Sequence, residues 1–114
     1  REIVSSPDRE QLKEVLQEIS VKSSENLSVA DMAKFCGWSS SHFMRWFKKM
    51  TGDSFTSYVN DRRLAEAAEA LCQTDDKILT IAQDAGFMNL SNFNRQFKKR
   101  YGVTPREYRE MIGI

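Results

Sequence analysis

A chain of 114 residues has room for one compact domain, or for two very small ones sharing a core. Its 40% hydrophobic content is enough for a core and its 29% charged content is ordinary for a soluble surface, while a net charge of +1 says nothing by itself about nucleic acid. No apolar run reaches the length of a membrane span, no signal-peptide pattern is present, and Cys36 and Cys72 form no CxxC pair.

Helix signals follow one another along the chain and strand signals are nearly absent. Ser6 is placed to cap a first helix with Pro7 at its first position, and Leu12, Val15, Leu16 and Ile19 follow the i, i+3, i+4, i+7 rule. A polar connector, Lys22 to Asn26, precedes Ser28-Val29-Ala30-Asp31, a start resembling a capping box with Asp31 in the usual Glu or Gln place. Val29, Met32, Ala33 and Cys36 give this second helix its apolar face, and Gly37 ends it.

After the turn Trp38-Ser39, a third helix is predicted from about Ser40 to Met50 and stopped by Thr51-Gly52. Phe43, Trp46, Phe47 and Met50 point inward by spacing, leaving Met44, Arg45, Lys48 and Lys49 outside. A long helix follows, roughly Ser54 to Gln73, with Phe55, Tyr58, Val59, Leu64, Ala67, Ala68 and Leu71 available for packing. Its length of about 20 residues corresponds to about 30 Å.

Thr74-Asp75-Asp76 interrupts the pattern, which then restarts. Ile78, Ile81, Ala82 and Ala85 make a short helix closed by Gly86, and Phe87-Met88-Asn89 forms a turn with Asn89 as N-cap. The next helix runs from Ser91 to Tyr101. Beyond Gly102, Thr104-Pro105-Arg106-Glu107 starts the last helix with a cap, a proline at N1 and a glutamate at N3; Tyr108 and Met111 are expected to face inward.

The two halves repeat. "SHFMRWFKKMTG", residues 41–52, returns as "SNFNRQFKKRYG", residues 91–102. Ahead of the turns the offset is 49, pairing Ala33 with Ala82, Gly37 with Gly86 and Trp38 with Phe87. After them it is 50, pairing Phe43 with Phe93, Arg45 with Arg95 and Tyr58 with Tyr108, so the second turn carries one residue more. A solenoid needs at least about three repeats to bury its core, so two copies make a duplicated unit.

Charge follows the repeat. Residues 39–51 hold Arg45, Lys48 and Lys49 without an acid, and 91–101 hold Arg95, Lys98, Lys99 and Arg100 without one, whereas acids outnumber bases in 1–26 and 53–77. A short helix, a glycine-containing turn and a basic helix is the order of a helix-turn-helix. The first helix and the apolar half of the second fix the second helix's angle, and its other face is free to enter a major groove. Arg45 and Arg95 lie in the first halves of their helices, where base edges are met. Lys48, Lys49, Lys98 and Lys99 lie a turn further on, beside the phosphates. Successive major-groove faces lie about 34 Å apart, near the length expected of the long helix, so one chain is expected to present a reader to each of two successive grooves.

The segment "IAQDAGFMNLSNFNRQFKKRYGVTPREYR", residues 81–109, resembles the signature of the AraC/XylS family of bacterial transcription regulators, and "RLAEAAEAL", residues 63–71, resembles that family's linker helix. The resemblance runs from about Asp8 to Met111. It implies an all-α fold of seven helices: a first helix-turn-helix subdomain at 8–52, a linker helix at 53–74 and a second subdomain at 75–112. It implies sequence-specific binding of double-stranded DNA and transcription control, usually activation. It commonly implies a sensing or dimerising domain too, which is absent from these residues. By position, base reading falls on Ser41, Met44 and Arg45 in the first reader and on Leu90, Ser91, Asn92, Asn94 and Arg95 in the second. Met44 and Leu90 are apolar where several relatives are polar, which suits a thymine methyl or no base contact at all. Phosphate contacts are expected from Ser40, His42 and the four lysines.

Each of these features also has a plainer reading. Phe43, Phe47, Phe93, Phe97, Trp38 and Phe87 are core aromatics rather than base-stacking groups. His42 lies on the reader with no catalytic constellation around it. Arg63, Asp61, Glu66 and Glu69 read as structural pairs around the linker, and both cysteines as buried, inert thiols of a reducing cytosol. The chain has no initiator methionine and reads as a piece of a longer protein. A competing function is a helical interaction module whose basic faces meet an acidic partner such as RNA polymerase. An enzyme is disfavoured, because no paired carboxylates, nucleophile–base pair or phosphate loop is present, and no cofactor or metal is implied.

Overall fold

Seven helices account for most of the residues described by the computed structural model, which are 6–25 and 27–112. They are α1 (Ser6–Lys22), α2 (Val29–Cys36), α3 (Ser40–Thr51), α4 (Phe55–Gln73), α5 (Ile78–Asp84), α6 (Leu90–Tyr101) and α7 (Pro105–Ile112), with no strand among the described residues. The chain divides into two compact units between Val59 and Asn60, inside α4. The division thus falls within the segment that the sequence reading sets apart as a linker. Phe55 and Val59 of α4 serve the first core, while Leu64, Ala67, Ala68 and Leu71 serve the second.

In the first unit, Val15 and Ile19 of α1, Met32 and Ala33 of α2, and Phe43, Trp46 and Phe47 of α3 close on Phe55 and Val59. The rings interlock: Phe55 meets Phe43 edge-on at 5.4 Å and Phe47 at 5.6 Å, and Tyr58 meets Phe47 at 5.3 Å. Such pairs are each worth about 0.5–1.5 kcal/mol beyond the area they bury.

In the second unit, Phe93 and Phe97 of α6 are fully buried against Phe87, against Ile81, Ala82 and Ala85 of α5, and against the alanine-rich face of α4. The small alanines leave space for the two phenyl rings, which a close-packed interior would deny to larger neighbours. Tyr108 meets Phe97 edge-on at 5.3 Å, as Tyr58 meets Phe47 in the first unit.

The duplication extends to single hydrogen bonds. The Trp38 N–H donates to the Ala33 carbonyl at 2.8 Å, and the Phe87 N–H to the Ala82 carbonyl at 2.9 Å. The Gly52 N–H donates to the Lys48 carbonyl at 2.8 Å, and the Gly102 N–H to the Lys98 carbonyl at 2.7 Å. Gly52 and Gly102 adopt φ of 86° and 83°, the left-handed cap that a side chain would strain. Ser28, Ser39 and Asn89 accept the N–H three residues on, as N-caps do. Thr104 and Glu107 form the full reciprocal box: the Thr104 N–H donates to Glu107 Oε1 at 2.9 Å and the Glu107 N–H to Thr104 Oγ1 at 3.1 Å.

Several expectations change. α1 already includes Ser6, so Ser6 belongs to the helix rather than preceding it as a cap. Asn26 of the polar connector lies outside the described residues. α3 continues to Thr51, and α6 begins at Leu90 because Asn89 caps it. α5 ends at Asp84, with Ala85 still right-handed and Gly86 turning the chain at φ 101°. Met111 is 72% exposed rather than facing inward, while Pro105 is buried and Tyr108 packs against the second core. The thiols are not both buried: Cys36 is half-buried and Cys72 exposed. Burial pushes the Cys36 thiol up, partly offset by a hydrogen bond from Gln11.

Candidate nucleic-acid interface

The helix α3 is two-sided. Phe43, Trp46 and Phe47 are buried, while Ser40, Ser41, His42, Met44, Arg45, Lys48 and Lys49 are all exposed. Residues at these spacings fall on opposite sides of one helix, so burying the aromatic side leaves the basic side in solvent. Arg45, Lys48 and Lys49 have no ion-pair partner among the described residues. The lysines occupy the last turn, where the helix's carbonyl end also favours positive charge by about 0.3–1 kcal/mol.

α6 is built the same way around Phe93 and Phe97. Ser91, Arg95, Lys98 and Lys99 are exposed, and Asn92 and Asn94 are half-buried. Leu90 is half-buried too, packed against the second core, which accounts for its apolar side chain. Lys98 lies in the field of Glu107, whose carboxyl is held below its ordinary range first by the Thr104 backbone bond and then by the Thr104 hydroxyl. Met88, in the lengthened turn before α6, is 93% exposed.

Some contacts at this surface were not anticipated by spacing. Arg95 Nη2 donates to Asn92 Oδ1 at 2.8 Å, so the two side chains form one group. The His42 ring lies against Trp38 at 4.4 Å, and Trp38 meets Trp46 edge-on at 5.0 Å. Arg100, a member of the basic run, turns to Asp61 of α4 at 3.7 Å and lies over the Tyr101 ring at 5.4 Å. Asp61 and Glu66 do form pairs on α4, with Arg100 and with Arg62 respectively, each at 3.7 Å. Exposed pairs of this kind contribute about 0–1 kcal/mol.

Arg109 of α7 is the largest omission from the sequence reading. Its guanidinium donates to three carbonyls around the α4–α5 connection: Leu71 at 3.2 Å, Thr74 at 3.0 Å and Asp76 at 2.8 Å. The carbonyls at a helix end have no partners within the helix, and a planar fork of N–H groups satisfies several at once. The duplication gives no cue to it, because its counterpart fifty residues earlier is Val59.

Among the described residues, no three His, Cys, Asp or Glu side chains gather as a metal site would require, and no helix is long and apolar enough to cross a membrane. The profile of a family described as a helix-turn-helix domain matches residues 32–111. The regulatory protein PocR of Salmonella typhimurium is 36% identical over 107 residues, covering 94% of this chain and 35% of PocR. The probable transcription factor PqrA of Proteus vulgaris is 38% identical over 93 residues, covering 82% of this chain and 76% of PqrA. The chain thus spans about a third of the length of PocR and three quarters of PqrA. Among solved structures, a transcriptional regulator with an AraC-type DNA-binding domain from Chromobacterium violaceum superposes with a TM-score of 0.85 at 28% identity, over 96% of this chain and 97% of that one. With its two helix-turn-helix units, this chain belongs to the AraC-type family of DNA-binding transcription regulators.

Proposed function

We propose that this chain reads a specific double-stranded DNA site, with α3 entering one major groove and α6 the next. The observation that carries this reading is the duplicated two-sided helix: buried phenylalanines on one side and exposed basic residues on the other, in both units. Arg45 and Arg95 are assigned to base edges, with Ser41, Met44, Ser91, Asn92 and Asn94 beside them. Leu90 stands at the margin, shared between core and groove. Ser40, His42, Lys48, Lys49, Lys98 and Lys99 are assigned to phosphates, where they add affinity without sequence preference.

The part of PocR outside the match leaves room for a sensing or dimerising domain, and the same arrangement is proposed for the protein that carries this chain. Action as an activator in the bacterial cytoplasm, with contact to RNA polymerase, belongs to the same proposal.

The test is a fluorescence titration of the chain with duplexes selected from a random pool and with scrambled duplexes. Arg45→Ala and Arg95→Ala should each weaken the selected site by about 1–3 kcal/mol while leaving scrambled DNA nearly unchanged. Equal affinity of the parent chain for both duplexes would remove the sequence-specific reading in favour of a basic face for an acidic protein.

A further inference from the structure

The two readers are not equivalent at the position three residues before their arginines. In α6 that position is Asn92, whose amide oxygen accepts the Arg95 guanidinium at 2.8 Å. The Asn92 backbone N–H donates to the cap oxygen of Asn89 at 2.7 Å, and the residue is half-buried. In α3 the same position, fifty residues earlier, is His42. Its ring is turned against Trp38 at 4.4 Å, and the Arg45 side chain makes no hydrogen bond or ion pair among the described residues.

We infer that Asn92 is a positioning residue rather than a base reader, and that through it the second helix discriminates its base more sharply than the first. The inference rests on the DNA-reading assignment above and replaces it at Asn92 alone. An arginine carries five N–H donors in a fixed fork, so one bond to Asn92 leaves enough to take a guanine O6 and N7 together. A guanidinium already held gives up less rotamer freedom on meeting that base. The held arginine also has a smaller choice of alternative bases to accommodate. Arg45, free to swing, tolerates substitutions at its own base.

The experiment uses the 114-residue chain and a duplex selected from a random pool, with each base pair of that duplex then changed in turn. The parent should lose more affinity for changes at the base pair silenced by Arg95→Ala than at the one silenced by Arg45→Ala. Asn92→Ala should reduce discrimination at the Arg95 base pair on the order of three- to tenfold and open no other position. Asn92→Asp, which keeps an acceptor for the guanidinium, should retain discrimination there even as its charge lowers overall affinity. His42→Asn, which supplies the missing acceptor, should sharpen discrimination at the Arg45 base pair. Asn92→Ala added to Arg95→Ala should cost no further discrimination.

Loss at a different base pair in Asn92→Ala, or additive loss in the double variant, would overturn the inference and make Asn92 a reader. Should Asn92→Ala fail to fold, unchanged discrimination in His42→Asn overturns it independently. A separate result, Arg95→Ala weakening selected and scrambled duplexes alike, would instead overturn the base-reading assignment beneath it.

Discussion

Arg109 shows how one side chain can hold together a segment that helix periodicity leaves loose. Gln73 ends α4, Thr74-Asp75-Asp76 follows, and Lys77 precedes α5 without a side-chain cap. The guanidinium of Arg109 supplies partners for three carbonyls of this stretch. A hydrogen bond to a charged group is worth about 1.5–3 kcal/mol, and these three share one side chain. Arg109→Ala is therefore expected to cost about 2–3 kcal/mol in urea unfolding. Arg109→Lys should recover only part of it, because an ammonium cannot reproduce the planar fork. A change indistinguishable from zero would mean that water replaces the guanidinium at no cost. Lys98 belongs to the other kind of exposed cation, one with no ion-pair partner among the described residues. Lys98→Ala should weaken selected and scrambled DNA alike and reduce the slope of log K against log salt by about one. An unchanged slope would place the lysine away from the phosphates.

Among the helices, α7 starts with a full reciprocal box and buries only Pro105, so its cap carries much of what holds its first turn. The depressed Glu107 carboxyl makes that cap sensitive to acid. A carboxyl whose pKa is lower folded than unfolded stabilises the fold fully above its unfolded value, about 4.3. That stabilisation disappears as the pH falls through the lower folded value. Glu107→Gln keeps an acceptor for the Thr104 N–H but removes the titration. The melting temperature of the parent should therefore exceed that of Glu107→Gln at pH 7, and the gap should close as acid is added below the ordinary carboxylate range. A gap independent of pH would assign the stabilisation to geometry rather than charge. The C-terminal caps of α3 and α6 make a simpler case. A Cβ at Gly52 or Gly102 would meet no atom within 4 Å, so what glycine supplies there is the left-handed backbone alone.

For the whole molecule, duplication makes two cores from one plan. Each unit buries a pair of phenylalanines from its basic helix, α3 or α6, and Tyr58 and Tyr108 each close over the second of the pair. The proposed two-groove reading predicts hydroxyl-radical protection in two segments whose centres lie about 10–10.5 base pairs apart. Arg45→Ala should weaken protection in one segment and Arg95→Ala in the other. Protection confined to a single turn of duplex, with either arginine dispensable, would reduce the molecule to one working reader.

Helix number, order and burial were largely legible in the sequence, because a 3.6-residue apolar period with Ser, Asn, Thr and Gly at the ends states both the face and the limits of a helix. The two-sidedness of α3, with Met44, Arg45, Lys48 and Lys49 outward, followed from spacing alone, whereas the half-burial of Leu90, Asn92 and Asn94 on α6 did not. What spacing could not state was any contact between residues far apart in the chain. The three carbonyls on Arg109, the turn of Arg100 towards Asp61, the exposure of Cys72 and Met111, and the division of α4 between two cores all depend on which surfaces meet after folding. The Asn92–Arg95 bond is different, since it spans only three residues. Periodicity marks that pair as neighbours, but only the side-chain rotamers decide whether each faces the solvent separately or one holds the other.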